Sequence, residues 1–109
     1  MHDSLALVPV ETPEQDNTIV REWLRSKRSP HTQRAYGRDI AIFYQRVHKP
    51  LHLVTLTDVQ DYADWLGSEH TEVSTSVRML ATVKSLLTFA KDTGYIPVIL
   101  ILGSYAIRR

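Results

Sequence analysis

The sequence predicts an all-α fold, a four-helix bundle with a flexible leader before it and an irregular tail after it. Three observations carry that expectation. Four segments repeat apolar residues at spacings of three and four, the helical period. No segment shows the strict alternation of a half-buried strand. Each apolar segment is bracketed by residues that start or stop helices.

Residues 1–16 read as a flexible leader carrying Pro9 and Pro13. The first helix is expected to begin near Asp16 to Thr18 and to run to about Ser26, with Ile19, Val20, Trp23 and Leu24 on its core face. The second is clearer. Ser29 can cap it, and Pro30 suits the first helical position, where a missing N–H costs nothing. Its stripe is Tyr36, Ile40, Phe43 and Val47, and Pro50 stops it. A connector follows in which Leu51, Leu53 and Leu56 are expected to point inward. Thr57 with Gln60 reads as a capping box for the third helix, whose core face is Val59, Tyr62, Ala63 and Leu66, with Gly67 as its end. The fourth helix is expected to be capped by Ser74 or Thr75. It should bury Val77, Leu80, Ala81, Val83 or Leu87, and Ala90, with Phe89 beside them, and end at Gly94. The bundle proper is thus expected over residues 17–97. Residues 98–109 read as a tail or the start of a linker, either a buried extended segment or a short docking helix.

A chain of 109 residues is one domain with a modest core. It contains no cysteine, so neither a disulfide framework nor a thiolate metal site is available. That composition fits a reducing cytoplasm. The N-terminus lacks the basic and apolar regions of a signal peptide. The longest apolar run, Ile96 to Leu102, is far short of the roughly 20 residues that span a bilayer.

The net charge of +1 conceals a block pattern. Residues 17–50 hold Arg21, Arg25, Lys27, Arg28, Arg34, Arg38, Arg46 and Lys49 against only Glu22 and Asp39. Residues 51–76 hold acids and no base, and residues 77–109 are again basic. Such segregation predicts one basic and one acidic face after folding.

Nothing in the sequence assembles a catalytic constellation. Asp58, Asp61 and Asp64 form a carboxylate row at helical spacing, which reads as a solvated face that also suits a helix N-terminus. His48 and His52 are four apart, but Pro50 between them keeps them off one helix face, so no zinc site is expected. No glycine-rich phosphate loop, nucleophile elbow or Ser/His/Asp arrangement is present. The chain is read as non-catalytic, without metal or cofactor.

Nucleic acid fits better. The second helix opens with Ser29, His31, Thr32, Gln33 and Arg34, then Arg38 a turn later. The fourth opens with Ser74, Thr75, Ser76 and Arg78, then Lys84. Hydroxyls and helix N-terminal amides bind phosphate oxygens, cations neutralise the backbone, and Gln or Arg reaches base edges in the major groove. Taken singly, either cluster is also what an ordinary N-cap looks like. Trp23, Tyr44 and Trp65 have faces on which bases can stack, but their helical spacing is that of core residues.

With these residues in view, the chain resembles the N-terminal core-binding domain of the tyrosine recombinases, the phage integrase family. Three patterns carry the resemblance, in order. The first is S-x-x-T-x-x-x-Y-x-x-D-I-x-x-F at Ser29, Thr32, Tyr36, Asp39, Ile40 and Phe43. The second has Leu56, Thr57, Val59, Tyr62 and Leu66, and the third runs from Ser74 to Ile96. The resemblance spans about residues 17–97. It implies a SAM-like four-helix domain that clamps duplex DNA at a recombination site, with its second and fourth helices against the major groove. The DNA contacts it implies are Thr32, Gln33, Arg34 and Arg38 on one helix, and Ser74, Thr75, Arg78 and Lys84 on the other. The family's catalytic residues belong to a C-terminal domain that follows this one and would be its partner in a full-length parent. Tyr105 has no such framework around it and is not read as a nucleophile. The tail VILILGSYAIRR is more apolar than the family's usual linker, and self-association through it is expected to make the mass concentration-dependent in light scattering.

Two other readings remain open at this stage. A SAM-like protein–protein module would pair the acidic third helix of one copy with the basic helices of another. A helix-turn-helix regulator fits less well, because the SEHTEV connector is longer than that motif's tight turn.

Overall fold

Four helices, α1 (Asn17–Arg25), α2 (Pro30–Val47), α3 (Leu56–Glu69) and α4 (Val73–Asp92), pack around one core in a computed structural model that describes residues 7–69 and 72–96. Short 3₁₀ turns over Glu14–Asp16 and Leu51–Leu53 lead into α1 and α3. No strand occurs among the described residues, so the all-α expectation holds. The expectations for residues 1–6 and for the tail beyond Ile96 lie outside the described residues.

The start of α2 follows the local chemistry. The Thr32 N–H donates to Ser29 Oγ at 3.1 Å, and Pro30 fills the first turn. The helix ends where His48 turns left-handed at φ 58°, ahead of Pro50. At the end of α4, Gly94 takes φ 83°. The Gly94 N–H then reaches the Lys91 carbonyl at 3.0 Å and the Tyr95 N–H reaches Ala90 at 2.8 Å. This Schellman closure needs a residue at ease with positive φ.

Four local expectations are corrected. The capping box of α3 lies two residues earlier than Thr57 and Gln60. Asp58 N–H donates to Thr55 Oγ1 at 3.1 Å and Thr55 N–H to Asp58 Oδ2 at 2.9 Å. The Gln60 amide instead donates to Asp64 at 2.9 Å. Gly67 does not end α3, which continues to Glu69; a glycine stops a helix only where the chain must turn left-handed, and Gly67 has no positive φ. Neither Ser74 nor Thr75 caps α4, whose first residue is Val73 and whose N-cap Glu72 makes no side-chain cap bond. Finally, Val77 and Ala81 lie outside, as do Leu53 of the connector and Leu56 at the start of α3, while Leu51 is buried as expected and Val54 is buried with it. The inward residues of α4 are Ser76, Met79, Leu80, Thr82, Val83, Leu86, Leu87 and Ala90. Ser76 can be buried because its hydroxyl donates to the Leu66 carbonyl of α3 at 3.1 Å.

The largest fully buried side chains among the described residues are Trp23, Tyr44 and Phe43. Phe43 meets Tyr62 edge to face at 5.1 Å, joining α2 to α3. A second joint is polar. Asp16, fully buried, is the residue before α1, yet its carboxylate does not cap that helix. It accepts from Tyr44 Oη and from the Leu51 N–H, each at 2.9 Å, and from Tyr95 Oη. One carboxylate thus joins the entry to α1, the middle of the chain and the exit from α4. Burial raises the Tyr44 phenol first, and the neighbouring Asp16 charge adds to it. Tyr95 is pushed up to about 12, by burial and then by its bond to Asp16.

Candidate nucleic-acid interface

Helices α2 and α4 pack against each other, and polar contacts join them. Asp39 of α2 accepts from Thr82 Oγ1 at 2.9 Å and pairs with the Arg78 guanidinium, both on α4. One turn earlier on α2, Tyr36 lies beneath the Lys27 ammonium, 5.1 Å from its ring centroid, and that ammonium reaches Ser85 of α4 at 3.4 Å. Asp39 is 4% exposed, so the seam between the helices is a buried charge answered by a cation at its rim.

The predicted α2 residues divide into two pairs. Arg34 and Arg38 are exposed and one helical turn apart, and neither meets a carboxylate among the described residues. They edge a cleft of about 370 Å³ together with Leu7, Pro9, Gln33, Gly37 and Ala41. Thr32 and Gln33 are half-buried and serve the fold. The Thr32 hydroxyl accepts from Ser29 Oγ at 3.0 Å. Gln33 Nε2 donates to the Lys27 carbonyl at 3.3 Å, bracing the turn from α1, while its Oε1 is buried without a partner among the described residues.

On α4, Ser74 is exposed, with its hydroxyl 3.5 Å from Glu72, and Thr75 is half-buried. Arg78 keeps 54% of its side chain exposed while tied to Asp39. Ser74, Arg78, Ala81 and Ser85 recur at four, three and four, and the bonds of Arg78 and Ser85 aim this stripe at α2 and α1. Lys84 is exposed but sits one residue, about 100°, around the helix from Ser85. The arrangement therefore groups Arg34 with Arg38, and Ser74 with Arg78, and turns Lys84 aside from the seam.

Sequence reasoning missed Lys27 and Ser85. Trp23 Nε1 donates to Ser85 Oγ at 3.0 Å, and the Lys27 ammonium lies 5.5 Å from the Trp23 ring centroid. Burial lowers the Lys27 pKa from the usual lysine range. The available signal was the position of Ser85, seven residues after Arg78 on the same stripe.

The other candidates are accounted for within the fold. Trp23 and Tyr44 are core residues, and Trp65 is half-buried beneath the Arg46 guanidinium at 4.6 Å. In the acidic row, Asp58 pairs with Lys49 at 2.8 Å and Asp64 with Gln60, leaving Asp61 exposed. Burial works against the Asp58 charge, but Lys49 and Thr55 outweigh it and hold the carboxyl below the usual range. No group of three metal-ligating side chains occurs among the described residues. No helix among them is long and apolar enough to cross a membrane.

Among known proteins, the family model described as phage integrase, N-terminal SAM-like domain, matches residues 22–94. No significant match is found among curated proteins or among solved structures. The matched span takes in all of α2, α3 and α4 and the last turn of α1, well over half of the chain. A sequence with the three ordered patterns, folded as an all-α four-helix bundle and matched over that span, belongs to the phage integrase N-terminal SAM-like domain family.

Proposed function

We propose that this chain is a DNA-binding domain of a site-specific tyrosine recombinase, holding one face of duplex DNA while a catalytic domain holds the other. On this reading the chain itself is non-catalytic, works in the cytoplasm, and has duplex DNA and its own parent's catalytic domain as partners. Family membership supports the recombinase assignment. The observation that carries the DNA reading is the Arg34–Arg38 pair, two exposed guanidinium groups one turn apart with no carboxylate partner among the described residues. Two such cations suit successive phosphates, since Arg presents a fork of donors that matches phosphate oxygens. The Asp39 contacts to Arg78 and Thr82 support it further by holding α4 against α2 as a second edge.

The test is fluorescence anisotropy of a short labelled duplex across a salt series. Each phosphate neutralised contributes about −0.9 to the log–log salt slope, so Arg34→Ala with Arg38→Ala should flatten it by about two. Binding should weaken on all duplexes alike if the contacts are to phosphate. Wild-type protein that fails to bind any duplex at low salt, yet forms salt-sensitive oligomers, would replace this reading with the adapter module.

A further inference from the structure

We infer that Lys27 and Ser85 form a phosphate-oxygen site at the junction of α1, α2 and α4. The inference rests on the DNA reading only for the source of the phosphate; the site itself is argued from its donors.

The Ser85 hydroxyl has two acceptor lone pairs and one proton. Trp23 Nε1 donates to it at 3.0 Å and Lys27 Nζ at 3.4 Å, so both lone pairs are occupied. The hydroxyl can then act only as a donor, and no acceptor for its proton is present among the described residues. Lys27 is in a similar position. Its ammonium rests against the Trp23 and Tyr36 rings, 5.5 and 5.1 Å from their centroids, and no carboxylate pairs with it among the described residues. The rings are themselves fixed, 5.4 Å apart, and Trp23 is fully buried. This is a cation held in place and partly stripped of water, beside a hydroxyl that has only a proton to offer. Both lack one thing, an anionic oxygen.

Position strengthens the case. Ser85 continues the stripe of Ser74, Arg78 and Ala81 toward α2. Ala81 leaves that stripe low between Arg78 and Ser85, so a backbone can lie along it. The chemistry is that of a phosphate diester, and a free inorganic phosphate presents the same oxygens. Lys27 and Ser85 thus extend the proposed contact surface, which sequence reading ended at Lys84.

The test reads the Trp23 indole N–H resonance by NMR, with Trp65 as internal control. Inorganic phosphate is titrated against chloride at matched ionic strength, and a short duplex separately. Phosphate should move the Trp23 resonance and not Trp65. Lys27→Met, which keeps the aliphatic stem on the rings, should abolish that movement, and Lys27→Arg should restore it. On the duplex, Lys27→Met should lose about tenfold in affinity and about one from the salt slope, the scale of one charge-assisted contact. If phosphate moves Trp23 no more than chloride does, the site is refuted, whatever the duplex result. A duplex that binds with unchanged affinity and slope in Lys27→Met refutes the role in DNA binding but leaves the recombinase reading intact. A phosphate response without duplex binding keeps the site and overturns the DNA reading.

Discussion

Replacing Asp16 by Ala should be among the most damaging single changes in the chain. Its carboxylate is fully buried and serves the Tyr44 hydroxyl, the Leu51 N–H and the Tyr95 hydroxyl. Removing it strands two donors in the interior, since Tyr44 is 2% exposed and Leu51 0%. Hydrogen bonds to a charged group are worth about 1.5–3 kcal/mol each, and part of that is offset by no longer burying a charge. Tyr95 is nearer solvent and counts for less. The expected cost is about 3–5 kcal/mol, against about 5–15 kcal/mol of total stability for a domain of this size. Urea unfolding followed by far-UV circular dichroism measures it, read as a lower midpoint with an unchanged slope. Tyr44→Phe closes a double-mutant cycle, in which the two changes should be strongly non-additive because they share one bond. A loss under about 1 kcal/mol for Asp16→Ala, the range of an ordinary surface change, would refute the claim that this carboxylate joins the ends of the fold.

The other predictions use the same unfolding assay. Thr55→Ala should cost about 1 kcal/mol as a lost N-cap, while Thr57→Ala costs a few tenths; the reverse order would return the cap to Thr57. Tyr62→Phe should be neutral or stabilising by up to about 1 kcal/mol, because the buried Tyr62 hydroxyl has no hydrogen-bond partner among the described residues; a clear loss would reveal one. Raising pH should destabilise the fold. A tyrosine whose pKa is raised by folding contributes stability that is whole below the unfolded value near 10 and is lost as pH climbs through the folded value, about 12 for Tyr95. Tyr95→Phe should shrink that alkaline loss, and an identical pH profile in the variant would contradict the assignment. Arg78→Ala should lower stability by about 1–3 kcal/mol as well as any DNA affinity, since it leaves the buried Asp39 without its cation. Arg34→Ala should leave stability unchanged, and this contrast separates a residue of the fold from one of the surface.

Much of the fold was legible because helices write their period into the chain. The α2 stripe, its Ser29–Pro30 start and the Gly94 end of α4 depend on neighbours within a turn or two, and local chemistry decided them. The failures share one cause. At α3 two Thr-x-x-polar sequences overlapped, Thr55 with Asp58 and Thr57 with Gln60. Lys49, from the preceding connector, pairs with Asp58 and supports the first of them. On α4 the apolar Val77 and Ala81 looked inward by type. The seats went to Ser76 and Thr82, because their hydroxyls meet the Leu66 carbonyl of α3 and Asp39 of α2. Burial of a polar side chain is decided by partners far off in sequence, which periodicity does not record.

The candidate interface divides along the same line. Sequence alone determined an all-α bundle, a basic α2 and α4, and the cations Arg34 and Arg38, because type, spacing and charge are local properties. Tertiary structure alone decided how each polar group is spent. Asp16 became a joint rather than a cap, Gln33 a brace, and Arg78 the counter-ion of Asp39. Lys27 and Ser85 are 58 residues apart, and only packing against Trp23 brings their donors to one point. A hydrogen bond needs its two atoms within about 3 Å, and over such separations the fold alone sets that distance.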